Sequence, residues 1–302
     1  PNMVVGVGFA DRKPYQTAKD AGEAATKHAR AMTKMPCENQ PDVMYMTASP
    51  TEEEFFLKGA NKVVGRVPLF GGSAADNTIS GNWSLFLDGK ITGEGVAVAL
   101  IYMKNGFANE FTGAYRETDD MGIITKVKGS RTLVSIDGVP AVKKYAKWRG
   151  IKTSQLMGDK LLSATITSPL GVKDRLGDLI AIRHPMFAND DLSMNIGANL
   201  AEKTVVIRME ASEDELISSV GETLKKLNER LTKPAICYHL VHCGGRRAGI
   251  GDRIGEVYKQ IIDNTNGASF IMEFTFGEYG YVDDVYPLDH IGRNLFQPVN
   301  TG

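Results

Sequence analysis

The sequence predicts an α/β fold of two pseudo-repeated strand–helix–strand–helix halves, with mixed sheets flanked by helices and a central cleft shared between them. Three observations carry that prediction. The N-terminal third alternates apolar β-type runs with amphipathic helical stretches, and the C-terminal third repeats the same order. At 302 residues, with 42% hydrophobic and 24% charged side chains, the chain is globular and can fill one large core or two ordinary ones.

In the first half, "NMVVGVGFA" (2–10) reads as a buried strand, and "KPYQTAKDAGEAATKHARAMTK" (13–34) as a helix. Pro14 stands near that helix's first turn, and Ala18, Ala21, Ala25, Ala29 and Met32 fall on one face. "DVMYMTAS" (42–49) is a second strand. "TEEEFFLKGANKVVG" (51–65) is a second helix, with Thr51 and Glu54 in capping-box spacing. "VPLFGG" (67–72) is a third strand that breaks into "GGSAADN", and a hairpin over 83–103 turns at Asp88-Gly89.

The second half runs "KTVVIRME" (203–210), then a helix over 212–231 with Ser212 and Glu215 as capping box, then "AICYHLVHC" (235–243). A helix over 252–265 and a strand over 268–281 complete it. Between the halves, 122–150 reads as strand, turn, strand with Asp137-Gly138, then a helix ending at Gly150. Short strands are expected at 177–187 and 193–201. The expected division is 1–106 for the first half and 107–302 for the second, which includes a central α+β insert at about 107–200.

Composition excludes several functions. A net charge of −1 gives no general pull toward nucleic acid or anionic membranes. No apolar run approaches the roughly 20 residues of a membrane span. Cys37, Cys237 and Cys243 lack disulfide-scaffold spacing, which together with the absence of a signal-type segment favours a reducing, cytoplasmic setting. No GKS or GKT occurs, so there is no P-loop, and "GVGFAD" lacks the full dinucleotide fingerprint.

In α/β sheets, ligands sit beyond the carboxyl ends of strands. Four stretches fall there: "FADRKP" (9–14), "GGSAADN" (71–77), "CGGRRAGIGD" (243–252) and "GEYGY" (277–281). If the repeat holds, Gly72-Ser73 matches Gly277-Glu278 and both approach one cavity. Gly71, Gly72, Ser73, Asp76 and Asn77 then line one wall, against the alternative of a turn tied by Asp76 and Asn77. Cys243 and Gly244 supply amides, and Arg246 and Arg247 positive charge, against a plain strand-to-helix turn. Glu278 and Tyr279 stand opposite, Glu278 as partner for a ligand ammonium or as a solvated turn carboxylate.

Two chemical alternatives stay open. Cys243 as the nucleophile of a hydrolase, with Gly244-Gly245 amides as oxyanion site, needs a base. His242 points to the other strand face, and His239 lies about 13 Å along the strand; His184 and His290 are free to approach from elsewhere. A haem needs one axial histidine, for which His184 before Pro185 is the candidate. No cofactor or metal is otherwise expected, since the His and Cys residues form no ligand spacing.

Taken in order, these motifs resemble the FIST sensory module with its N-terminal and C-terminal parts. The resemblance rests on the strand–helix–strand–helix opening, "VPLFGGSAADN", "GEGVAVALI" (93–101), "ITKVKGSRTLVSIDGVPAVKKY" (124–145), "IRHPM" (182–186), "HCGGRRAG" and "FTFGEYGY". It covers essentially the whole chain, though "DHIGRNLFQPVNTG" (289–302) matches the family's usual ending only loosely. The resemblance implies a cytoplasmic small-ligand sensor for amino acids or related small carboxylate metabolites. It also implies a signalling output partner such as a histidine kinase, diguanylate cyclase or chemoreceptor, with haem-binding nitric-oxide sensors among similar proteins.

Overall fold

The structure is a computed structural model that describes residues 2–173 and 180–280. The chain is a mixed α/β protein of two compact units. The described residues of 1–111, 223–244 and 264–298 form the first, and those of 112–222 and 245–263 the second.

The first unit opens with β1 (Met3–Asp11), α1 (Ala18–Thr33), β2 (Val43–Ala48), α2 (Glu53–Val64), β3 (Leu69–Ser73), β4 (Leu85–Leu87), β5 (Lys90–Thr92) and β6 (Gly95–Met103). β1 and β2 both pair antiparallel with β6, and β2 pairs parallel with β3, so the first three strands run the same way. On β1, Gly6 and Gly8 lie directly under the α1 backbone at Ala29 and Ala25; a methyl group at either would collide with a helix carbonyl. That close approach explains why the buried face of α1 is built from Ala18, Ala21, Ala25 and Ala29. Met44, Met46, Phe56, Leu57, Leu69, Val96, Val98 and Leu100 fill the core between sheet and helices.

The second unit begins with β7 (Arg116–Lys128), β8 (Thr132–Ile136), β9 (Val139–Pro140), α3 (Ala141–Arg149), α4 (Lys160–Thr165), β10 (Leu170–Lys173), β11 (Ile180–Arg183), β12 (Pro185–Ala188), β13 (Met194–Ile196) and β14 (Val205–Glu210). The sheet order is β11-β10-β14-β7-β8-β13-β12, with β9 on β8. The two end strands of that path, β11 and β12, are consecutive in the chain with His184 alone between them. Ile124, Leu133, Ile136, Tyr145, Leu161, Leu170, Met194 and Val206 form the core.

The chain then runs through α5 (Glu213–Glu229), β15 (Cys237–Cys243), α6 (Gly244–Ile250), α7 (Ile254–Asn264), β16 (Ser269–Thr275) and β17 (Glu278–Gly280). β15 and β16 are a parallel pair, and β17 adds antiparallel to β3 at the edge of the five-stranded sheet, whose order is β1-β6-β2-β3-β17.

Several local expectations hold for the reasons given. Asp88-Gly89 and Asp137-Gly138 both have positive φ at both residues, the two-residue hairpin turn whose twist matches that of the strands. The Ser212–Glu215 capping box forms in both directions, and α3 ends at Gly150 in the left-handed region.

Others differ. α1 starts at Ala18, not near Pro14, because Thr17 and Asp20 form the capping box there. Thr51 has φ 86 and makes no cap, and α2 begins without a side-chain hydrogen bond. The glycines of "CGGRRAG" are helical, in α6, so the helix expected from 252 is preceded by seven helical residues. The two halves agree in chain order and in one parallel pair each. β1, however, shares a sheet with β2, whereas β14 pairs with β10 and β7 in the second unit. Residues 177–179 of one expected strand, His290 and the 289–302 ending lie outside the described residues.

Candidate functional site

The carboxyl ends of β1, β2 and β3 lie at one edge of the five-stranded sheet, and α2 begins there. Ser73 is the last residue of β3 and has no exposed surface. Its backbone N–H donates to Gly277 O at 2.7 Å and its carbonyl accepts from Phe276 N at 3.3 Å, which pins the β16–β17 connection against β3. The Ser73 hydroxyl stands 2.9 Å from Glu53 Oε1 and 3.2 Å from the Tyr279 hydroxyl. A carboxylate only accepts, so Ser73 donates to Glu53 and Tyr279 donates to Ser73.

Glu53 is 4% exposed at the first position of α2, where the amide-rich end of a helix favours negative charge. Burial raises the Tyr279 phenol well above its ordinary pKa, and the nearby Glu53 charge raises it further. The phenol is therefore a permanent donor. Beside this chain, Thr275 Oγ1 donates to Glu278 Oε1 at 2.6 Å, and Glu278 is 2% exposed.

Close packing holds the strands at this spacing. A Cβ at Gly72 would stand 2.5 Å from the Thr275 Cβ, so residue 72 must be glycine for β3 to lie against Thr275. Thr275 in turn pairs with Cys243 across β15–β16, and its carbonyl sits 3.1 Å from where a Gly244 Cβ would be.

Of the expected site residues, Gly71, Gly72, Ser73, Cys243, Gly244, Glu278 and Tyr279 thus gather in the first unit, through β3, β17, Thr275 and the end of β15. Asp76 and Asn77 are placed differently. Asp76 accepts from the backbone N–H of Thr78, Ser80, Gly81 and Asn82 within 2.8–3.2 Å, which holds its carboxyl down at about 2, and Asn77 is exposed in the same loop. Arg246 and Arg247 belong to the second unit. Arg246 is buried and donates to Leu216 O and Ser219 Oγ, while Arg247 donates to Gly251 O at 3.0 Å.

Cys243 is buried, with its neighbour His242 turned so that Nδ1 lies 2.9 Å from the Cys243 carbonyl. His239 Nε2 pairs with Glu273 at 2.9 Å, and its ring packs on Tyr45 and Phe70. His184 is 3% exposed, and one ring nitrogen donates to the Leu162 carbonyl while burial lowers its pKa to about 4. Among the described residues no group of three or more His, Cys, Asp or Glu side chains is arranged to hold a metal ion, and no helix is long and apolar enough to cross a membrane.

Sequence reasoning missed Glu53 and Thr275. Glu53 lies in "TEEEFF", where three acids at a helix start read as ordinary capping. The available signal was its place at the start of the helix that follows the second strand, the end of a parallel pair at which the third strand also finishes. Thr275 lies inside a strand with no distinguishing pattern, and only the pairing of β16 beside β3 gives it a role.

The FIST N domain model matches residues 2–139, and the FIST C domain model matches residues 141–281. No curated protein matches the chain. The two matched segments cover nearly all of the described residues, and the chain belongs to the FIST family of signalling-associated sensory domains.

Proposed function

We propose that this chain is the ligand-recognition part of a cytoplasmic signalling system, binding an amino acid or related small carboxylate metabolite at the tips of β3 and β17. The observation that carries the reading is the buried chain Tyr279–Ser73–Glu53, with Glu278 and Thr275 beside it. Burying carboxylates costs several kcal/mol of hydration unless charge and hydrogen bonds offset it. A cluster of that cost at the carboxyl end of parallel strands suits recognition of a ligand ammonium.

Occupancy reports by favouring one conformation over another, in proportion to the ligand's different affinity for the two. A histidine kinase, diguanylate cyclase or chemoreceptor is the kind of output partner that fits. The odd number and non-scaffold spacing of Cys37, Cys237 and Cys243 support a reducing compartment.

The test is a thermal-shift and calorimetric screen of amino acids, simple amines and simple carboxylates, repeated with Glu278→Gln and Ser73→Ala. The expected result is stabilisation by one amino-acid class that either substitution weakens at least tenfold. Absence of binding by every class, or binding that both substitutions leave intact, overturns the reading.

A further inference from the structure

We infer that the β1–β6 half of the five-stranded sheet, on the face turned away from α1, is a docking groove for an amphipathic α-helix of a partner protein. Strand alternation defines that face. Val4, Ala10, Val96, Val98 and Leu100 turn toward α1 and α2 and pack into the core there. Met3, Val5, Val7 and Phe9 of β1 therefore point the opposite way, and the register sets Val5 beside Ile101 and Val7 beside Ala99 on β6.

Part of this opposite face is covered within the same unit. The His239 ring of β15 packs on Tyr45 of β2 and Phe70 of β3, and the Tyr45 hydroxyl donates to Glu273 of β16 at 2.9 Å. The β15–β16 pair thus lies over β2 and β3. Over β1 and β6 nothing comparable stands. Outside the sheet, α1 and β4 are the described elements in extended contact with these two strands, and α1 is on the other side.

Met3 and Val5 are 54% and 42% exposed, and Val7, Phe9, Ala99 and Ile101 are half-buried. On this face of β1 and β6 the first charged side chain is Asp11, at the strand end. Ala99 stands between Val7 on β1 and Tyr45 on β2, and Ala97 between Phe9 and Thr47, so the small residues of β6 form a groove between bulkier rows.

Size and backbone chemistry select the occupant. Two strands of this length make a floor of about 30 by 10 Å, or about 300 Å². A stable contact between two folded copies takes about 800 Å² from each, far more than the floor offers. An extended segment laid on a sheet face leaves its own backbone groups unpaired, whereas a helix pairs them internally. A helix about 10 Å wide and ~20 residues long covers the floor. Its apolar stripe meets the uncharged groove, and its polar side stays in water.

The test is fluorescence anisotropy on the intact chain with a labelled synthetic peptide of ~20 residues, carrying leucine on one helical face and lysine and glutamate on the other. The control peptide has the same composition with its leucines spread around the helix. Val5→Lys is the disrupting variant; that side chain is already well exposed, so circular dichroism and melting temperature should stay unchanged. A second measurement needs no variant: a benzophenone on the peptide's apolar face is photo-activated, and the attached residues are mapped by mass spectrometry. We expect the amphipathic peptide to bind at least tenfold more tightly than the control, Val5→Lys to weaken it at least tenfold, and the cross-links to fall within 3–9 and 97–103. No binding at millimolar peptide, equal binding of the two peptides, insensitivity to Val5→Lys, or cross-links elsewhere each overturns the proposal. So does a dimer of the chain, seen by light scattering, that Val5→Lys dissolves, because the occupant is then a second copy.

Discussion

Lowering the pH from 8 to 5 should destabilise the second unit, and His184 supplies the reason. The ring is 3% exposed between β11 and β12, one nitrogen donates to Leu162, and Nε2 is buried without a hydrogen-bond partner among the described residues. Protonation would place an unpaired N–H and a charge in an apolar core, so burial lowers the pKa from 6.5 to about 4. The folded-state pKa lies below the unfolded value, so the unfolded chain binds more protons between them. Stability is therefore full above about 6.5 and falls as the pH drops toward about 4.

The gap corresponds to about 3 kcal/mol when fully expressed, of which about 2 kcal/mol is lost by pH 5. The chain has two tryptophans, and in a Trp83→Phe background the fluorescence of Trp148 reports on the second unit alone. Urea titrations at pH 8, 7, 6 and 5 should show the unfolding free energy falling by about 2 kcal/mol in this background, and by much less once His184→Gln is added. Equal pH dependence with and without His184→Gln would refute the reasoning.

Gly72→Ala should destabilise the first unit by about 1–3 kcal/mol through overpacking against Thr275, and a cycle with Thr275→Gly should recover part of that loss if the contact is the cause. Asp76→Asn should accelerate hydrogen exchange at the Gly81 and Asn82 amides while leaving the melting temperature nearly unchanged; because the carboxyl sits near 2, the wild-type protection should persist on acidification until the pH approaches that value. Ser212→Ala should cost about 1 kcal/mol, measured by urea titration, by breaking the capping box that starts α5.

Part of the candidate site is legible in the amino-acid sequence. The run "VPLFGGSAADN" announces a strand ending in small residues, and "FGEYGY" a second strand with a tyrosine and a glutamate side by side. Local chemistry is enough for that, because paired glycines after an apolar run leave few alternatives to a strand tip in close contact. Asp76 is not legible in the same way: whether an aspartate after such a turn faces a ligand or its own backbone depends on where the next six residues go. Arg246 likewise reads as a free cation in sequence. Its burial against Leu216 and Ser219 depends on α5 passing beside α6.

The sequence by itself determined the alternation of strands and helices, the two Asp-Gly hairpins, the Ser212 cap and the glycine-opened strand ends. Each of these rests on periodicity or on a turn geometry set by neighbours a few residues apart. Only the tertiary structure decided that β17 completes the sheet begun by β1, that Glu53 and Thr275 join Ser73 and Tyr279, and that His184 is sealed between β11 and β12. Those outcomes depend on which distant segments pack together, and pairings at such separation are selected by burial across the whole unit rather than by any local pattern.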